Sequence, residues 1–229
     1  MGFMLIDEYT IWGICSKCTV ETLLPEYRAM VEEKQTHASI LYWDAQNEAN
    51  DASGNKKVDW PVTGNAIRQL LSERVDIAER HWDNGWSNPV DDTSPVEYHP
   101  YPFIGGANID CLASQNNKQP WNSGANGSEY DANPKIVNEY ASLWLNRVGE
   151  PTSISKKNYD KLIPTSTTEE RFELYTTSTA WLTEFYRSGR NIAGIQHFVG
   201  LSYAKPGQSG ATGDILMPDL SNPEIRPMI

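Results

Sequence analysis

The sequence predicts an α/β domain in which a parallel sheet is covered by helices. Three observations carry this. Short, continuously apolar runs such as FMLI and KIV are the pattern of strands buried on both faces rather than one. Between them lie longer stretches with apolar residues at helical spacing. Several of the strand candidates run directly into acidic residues, which puts carboxylates at strand ends. This pattern alone fits either a closed barrel or an open doubly wound sheet.

Taken in order, residues 3–6 (FMLI) form the first strand candidate and end at Asp7 and Glu8. TVETLLPEYRAMVEEK follows as a helix with Leu23, Leu24, Tyr27, Met30 and Val31 on one face. ASILYW is the next strand and leads straight into DAQNE. AIRQLLSERVDIAER, residues 66–80, reads as a second helix, followed by HWDNGW. In PVEYHPYPF two prolines limit how far a strand can extend. KIVNEY gives a further strand ending in an acid. FELYTTSTAWLTEFYRSGR reads as a helix with Phe172, Tyr175, Thr179, Leu182 and Phe185 at helical spacing, and IAGIQHFVGLSY closes as the last strand.

Residues 105–134 are rich in Asn, Gly, Ser and Gln and read as a loop insertion within residues 1–229, which form a single domain. The tail from Lys205 is equally loop-like.

Composition narrows the function classes. A net charge of −11 and a pI near 4.8 argue against nucleic acid or an anionic membrane, both of which need a basic face. No apolar run approaches the roughly 18 to 20 residues needed to span a bilayer, and the first residues lack the basic lead of a secretion signal. The chain reads as soluble, with cytoplasmic, periplasmic and extracellular locations all open. Cys15, Cys18 and Cys111 lack the second Cys pair of a zinc site and read as ordinary thiols. Eight tryptophans and eleven tyrosines against five phenylalanines favour rings with a polar handle, suited to a wet, polar ligand.

The same dipeptide, Asn-Glu, follows two strand candidates: Asn47-Glu48 after ILYW and Asn138-Glu139 after KIV. A single Asn-Glu is more often a helix cap or a solvated loop acid. At the carboxyl ends of parallel strands, however, two such glutamates face one cleft. Two carboxylates across a cleft are the equipment for hydrolysing a glycosidic bond, one protonating the leaving oxygen and the other attacking the anomeric carbon.

ILYWDAQNE, preceded by QTHAS, resembles the N-H-P-S-I-I-x-W-S-x-G-N-E segment of glycoside hydrolase family 2, the β-galactosidase, β-glucuronidase and β-mannosidase group. The likeness runs along the chain: GFMLIDE resembles the third-strand segment, HWDNGW the fifth, EYHPYPF the sixth, KIVNEY the seventh and IAGIQHF the eighth. It implies a (β/α)8 TIM barrel of the glycosidase type, partial here and covering strands three to eight. The expectation is therefore a fragment of a longer chain, partnered by the missing amino-terminal part of the same protein.

On this resemblance Glu48 is the acid/base and Glu139 the nucleophile of a retaining double displacement. Asn47 contacts the sugar 2-hydroxyl, and Tyr101 donates to Glu139 and keeps it ionised. His99 and Tyr101 fall where the family contacts sugar; Glu8 orients the pocket; Trp86 and Trp144 offer stacking faces, whereas Trp43 belongs to the core. His37 and Arg147 read as structural and surface residues. No metal or organic cofactor is implied, and the partner is a β-linked oligo- or polysaccharide.

The sequence departs from the family at Asp44, Ala45 and Gln46, which replace Ser-Leu-Gly. It departs again at Ser142, in place of a histidine, and around His197 and Phe198, in place of a tryptophan. These positions bear on which sugar fits. The leading expectation is a β-galactosidase-like exo-glycosidase. An endo-acting agarase or mannanase type and a non-catalytic carbohydrate-binding or inactive fragment are the alternatives.

Overall fold

The computed structural model describes residues 4–9, 19–44, 47, 96–103, 134–146, 148–188 and 192–198. Outside these fall the expected helix at 66–80, HWDNGW, the expected 105–134 insertion except Pro134, the three cysteines and Arg147. The chain divides into two units, Met1–Tyr98 with Ser123–Lys135 and His99–Asn122 with Ile136–Ile229.

In the first unit β1 (Leu5–Glu8) and β2 (Ile40–Asp44) pair in parallel and are joined through α1 (Val20–Lys34). β1 sits two residues later than the apolar run that announced it. Its limits are set by pairing: the Leu5 amide donates to Ser39 O at 2.8 Å and the Tyr9 amide to Asp44 O at 2.7 Å. Met4 and Leu5 are exposed, so β1 is not covered on both faces along its length.

α1 begins in a capping box between Thr19 and Thr22, which satisfies amides that the first turn cannot pair internally. Leu23, Tyr27 and Val31, four residues apart, are its buried stripe. The Tyr9 hydroxyl donates to Glu26, its ring lies edge-on to Tyr27 at 5.8 Å, and Lys34 pairs with Asp7 at 3.0 Å. Trp43 of β2 is buried, and His37 lies exposed in the turn before that strand. β3 (Val96–Tyr98) is short, and Pro100 and Pro102 follow it.

In the second unit Ile136 and Val137, of β4 (Lys135–Val137), lie in parallel register with Gly194 and Ile195 of β5 (Gly194–Ile195). The last strand is thus shorter than IAGIQHFVGLSY suggests. The chain still runs beside β4, with Gln196 N donating to Val137 O at 2.7 Å and Phe198 N to Tyr140 O at 3.1 Å.

α2 (Lys156–Leu162) has no counterpart in the sequence reading. The residues it buries, Asn158 and Tyr159, carry polar groups, so hydrophobic periodicity does not reveal it. α3 (Thr168–Arg187) starts in a Thr167–Glu170 capping box, whose hydrogen bonds hold the Glu170 carboxyl below its ordinary pKa.

The buried residues of α3 are Phe172, Ser178, Thr179, Leu182 and Tyr186, while Tyr175 and Phe185 are half-buried. Tyr186, absent from the expected stripe, is fully buried because at about 100° per residue it returns to the face of Phe172, Thr179 and Leu182. Among the described residues no helix is long and apolar enough to cross a membrane.

Candidate active site

Beyond Val137 the strand ends, and the chain continues as an irregular segment buried at residues 139–145. Glu139 opens this segment and is 8% exposed. A carboxylate so far from water keeps its charge only with donors aimed at it. Tyr101 supplies one, its hydroxyl donating to Oε2. His99 Nδ1 lies 3.5 Å from the same oxygen, and its imidazole is almost wholly buried.

Tyr101 is held by rings on several sides. Its ring lies 5.5 Å from Trp144, 6.5 Å from Phe198 and 6.4 Å from His99, each time edge-to-face. Trp144 Nε1 donates to Phe198 O at 2.9 Å while the Phe198 amide binds Tyr140 O, so the Phe198 backbone is fixed at both ends. His197 turns the other way, its ring 5.9 Å from Tyr140 and its Nε2 3.4 Å from the Tyr175 hydroxyl.

Tyr140, next to Glu139, points toward α3 and shares a 2.6 Å hydrogen bond with Thr183. Burial pushes its hydroxyl above the ordinary tyrosine pKa, partly offset by Thr183 and Arg187. Ala141 then takes φ = 76°, a left-handed conformation that costs a non-glycine residue about 1–2 kcal/mol. That turn separates Tyr140, bonded to α3, from Ser142, whose Oγ accepts the Phe103 amide at 3.3 Å.

Behind these residues stands α2. Asn158 donates to Phe103 O, Tyr159 to Leu143 O at 2.8 Å, and Ser155, just before the helix, to Trp144 O.

Of the candidates named by sequence, the structure brings together Glu139, Tyr101, His99 and Trp144. Glu8 lies exposed at the end of β1, and Asn47 is half-buried in a β-bridge; both belong to the first unit. Glu48 and Trp86 lie outside the described residues. Trp144 does not present the open stacking face expected of it: it is 1% exposed, because the segment after Glu139 stays in the interior instead of emerging at a strand end. Its ring backs Tyr101.

No protein-family model and no curated protein matches the sequence. Among solved structures the chain is similar to the crystal structure of Ruminococcus gnavus β-glucuronidase, at 9% identity and a TM-score of 0.52. The fold is glycoside hydrolase-like. The similarity covers 87% of this chain and 33% of that one, so the chain spans about a third of the length of the protein it resembles.

Sequence reading singled out the acid and its tyrosine but missed the buried polar groups that hold them, Ser155, Asn158 and Tyr159. SISKKNY carries no alternation or motif that marks them. Their hydrogen bonds to backbone carbonyls follow only from the fold.

Proposed function

We propose that this chain is part of a retaining β-glycosidase whose catalytic domain is a (β/α)8 barrel of the family 2 type, acting on a β-linked sugar. The observation that carries the reading is the buried Glu139 carboxylate, which accepts the Tyr101 hydroxyl and has His99 beside it. The glycoside hydrolase-like fold supports it, and so does the origin of Glu139 immediately beyond a parallel strand.

In this reading Glu139 attacks the anomeric carbon as the bond to the leaving oxygen breaks, and Glu48 gives that oxygen its proton. The resulting glycosyl ester on Glu139 is cleaved by water, whose proton returns to Glu48, and Glu139 leaves as the carboxylate. Asn47 hydrogen-bonds the sugar 2-hydroxyl, a contact that strengthens as positive charge develops on the ring. The Tyr101 hydroxyl stabilises Glu139 in its ionised form, both before attack and as it departs. A β-galactoside is the first substrate to try, with β-glucuronide, β-mannoside and β-glucoside beside it.

The test is hydrolysis of those four aryl glycosides, together with trapping by the matching 2-deoxy-2-fluoro glycosides and peptide mass spectrometry. Turnover lost in Glu139→Gln, and an ester mapped to Glu139 in the unsubstituted chain, are expected. Hydrolysis that survives Glu139→Gln, or an ester on another residue, would overturn the assignment.

A further inference from the structure

We infer that Asn158 of α2 is a positioning residue for the candidate nucleophile, acting through the Phe103 peptide to hold Tyr101 on Glu139. This inference rests on the proposed role of Glu139.

Phe103 lies two residues beyond Tyr101, and its peptide groups are anchored on both sides. The Phe103 amide donates to Ser142 Oγ at 3.3 Å, and the Phe103 carbonyl accepts the Asn158 side-chain amide. Ser142 and Asn158 are themselves buried, at 0% and 3% exposure. Ser142 lies three residues after Glu139, so one anchor belongs to the segment that carries the acid. The other belongs to α2, which through Tyr159 and neighbouring Ser155 also binds the carbonyls of Leu143 and Trp144.

α2 therefore grips two strands of loop at once, the one carrying Tyr101 and the one following Glu139. Pro100 and Pro102 flank Tyr101. With φ fixed at both prolines, a displacement of Phe103 is passed along a stiff segment rather than absorbed within it. Tyr101 reaches Glu139 only if this segment keeps its place. A buried amide that bonds a carbonyl in a non-helical loop is also hard to replace, since the carbonyl left behind has no other way to be satisfied.

The experiment is a 13C titration of the Glu139 side-chain carboxyl, assigned by its absence in Glu139→Gln. It is made on the unsubstituted chain, Tyr101→Phe, Asn158→Ala, Ser142→Ala and the Tyr101→Phe/Asn158→Ala double variant. Tyr101→Phe removes a donor to the ionised form, so Glu139 should bind its proton about tenfold more tightly. Asn158→Ala and Ser142→Ala should move the titration in the same direction. The double variant should go no further than Tyr101→Phe alone.

Leu182→Ala, which opens the core along α3, serves as the control for simple loss of stability: it should lower Tm and leave the Glu139 titration in place. If Asn158→Ala does not fold, Ser142→Ala, which removes a single oxygen, decides the matter. An unmoved Glu139 titration in folded Asn158→Ala or Ser142→Ala, or additive effects in the double variant, would overturn the inference. Because this readout needs no turnover, it is separate from the trapping experiment, where an unlabelled Glu139 overturns the catalytic reading instead.

Discussion

Tyr101 and Glu139 lie 38 residues apart in sequence and meet in the second unit through a hydrogen bond from the phenol to carboxylate Oε2. His99 Nδ1 stands 3.5 Å from the same oxygen. A hydrogen bond to a charged group is worth about 1.5–3 kcal/mol, so on the proposed role of Glu139 Tyr101→Phe should lower kcat/KM roughly ten- to a hundredfold on an aryl β-glycoside. The lost donor favours the protonated acid, so the acid limb of the kcat/KM profile should move to higher pH. An unchanged limb would show that the Tyr101 bond does not govern the ionisation of Glu139.

What the sequence revealed and what it concealed divide along physical lines. α1, α3, β2 and β4 were legible because each combines a periodic or continuous apolar pattern with a clear stop, such as Asn138-Glu139 after KIV. Glu139 and Tyr101 were singled out by a resemblance in sequence, and the fold brings the two side chains together. α2 was not, because it buries Asn158 and Tyr159 by satisfying carbonyls, a role that no period encodes. Trp144 was misjudged for a related reason. A strand end predicts exposure, but the chain is buried from Glu139 through Leu145.

Gly149 should tolerate no side chain. It closes the Asn146–Glu150 turn with φ = 78°, and a Cβ built there would lie 2.3 Å from Thr168 Cγ2 and 2.8 Å from a Phe172 ring carbon. Left-handed strain of about 1–2 kcal/mol and overpacking of about 1–3 kcal/mol give Gly149→Ala a cost of roughly 2–5 kcal/mol. At about 2–4 °C per kcal/mol for a chain of this size, Tm should drop by roughly 4–20 °C. A scanning calorimetry trace that shifts by less than the lower figure would mean that the turn relaxes around the new methyl.

Alkaline pH should unfold the second unit through its tyrosines. Burial pushes the Tyr140 and Tyr159 hydroxyls above their ordinary value near 10. Above pH 10 the unfolded chain releases these protons while the folded chain keeps them. Their contribution to stability is therefore complete below about pH 10 and lost as the pH climbs beyond it. Denaturant midpoints measured from pH 8 to 11 should fall above pH 10. Tyr159→Phe should flatten that fall and cost about 1 kcal/mol at neutral pH through the lost bond to Leu143 O. An equally steep alkaline fall in Tyr159→Phe would remove Tyr159 from the account.

Ala141 offers the sharpest contrast between two substitutions at one site. Its φ of 76° costs about 1–2 kcal/mol, which glycine would relieve. Glycine also gives up a buried methyl worth about 0.8 kcal/mol and roughly 0.5–1 kcal/mol of unfolded-state entropy. These effects nearly cancel, so Ala141→Gly should change stability by less than about 1 kcal/mol. Ala141→Val adds a β-branched side chain to the same left-handed backbone at a 2% exposed position, and should cost about 3 kcal/mol or more. Urea denaturation of the two variants separates a strained turn from an ordinary buried alanine. An ordinary alanine would make the glycine variant clearly destabilising and the valine variant mild, the reverse of the order expected here.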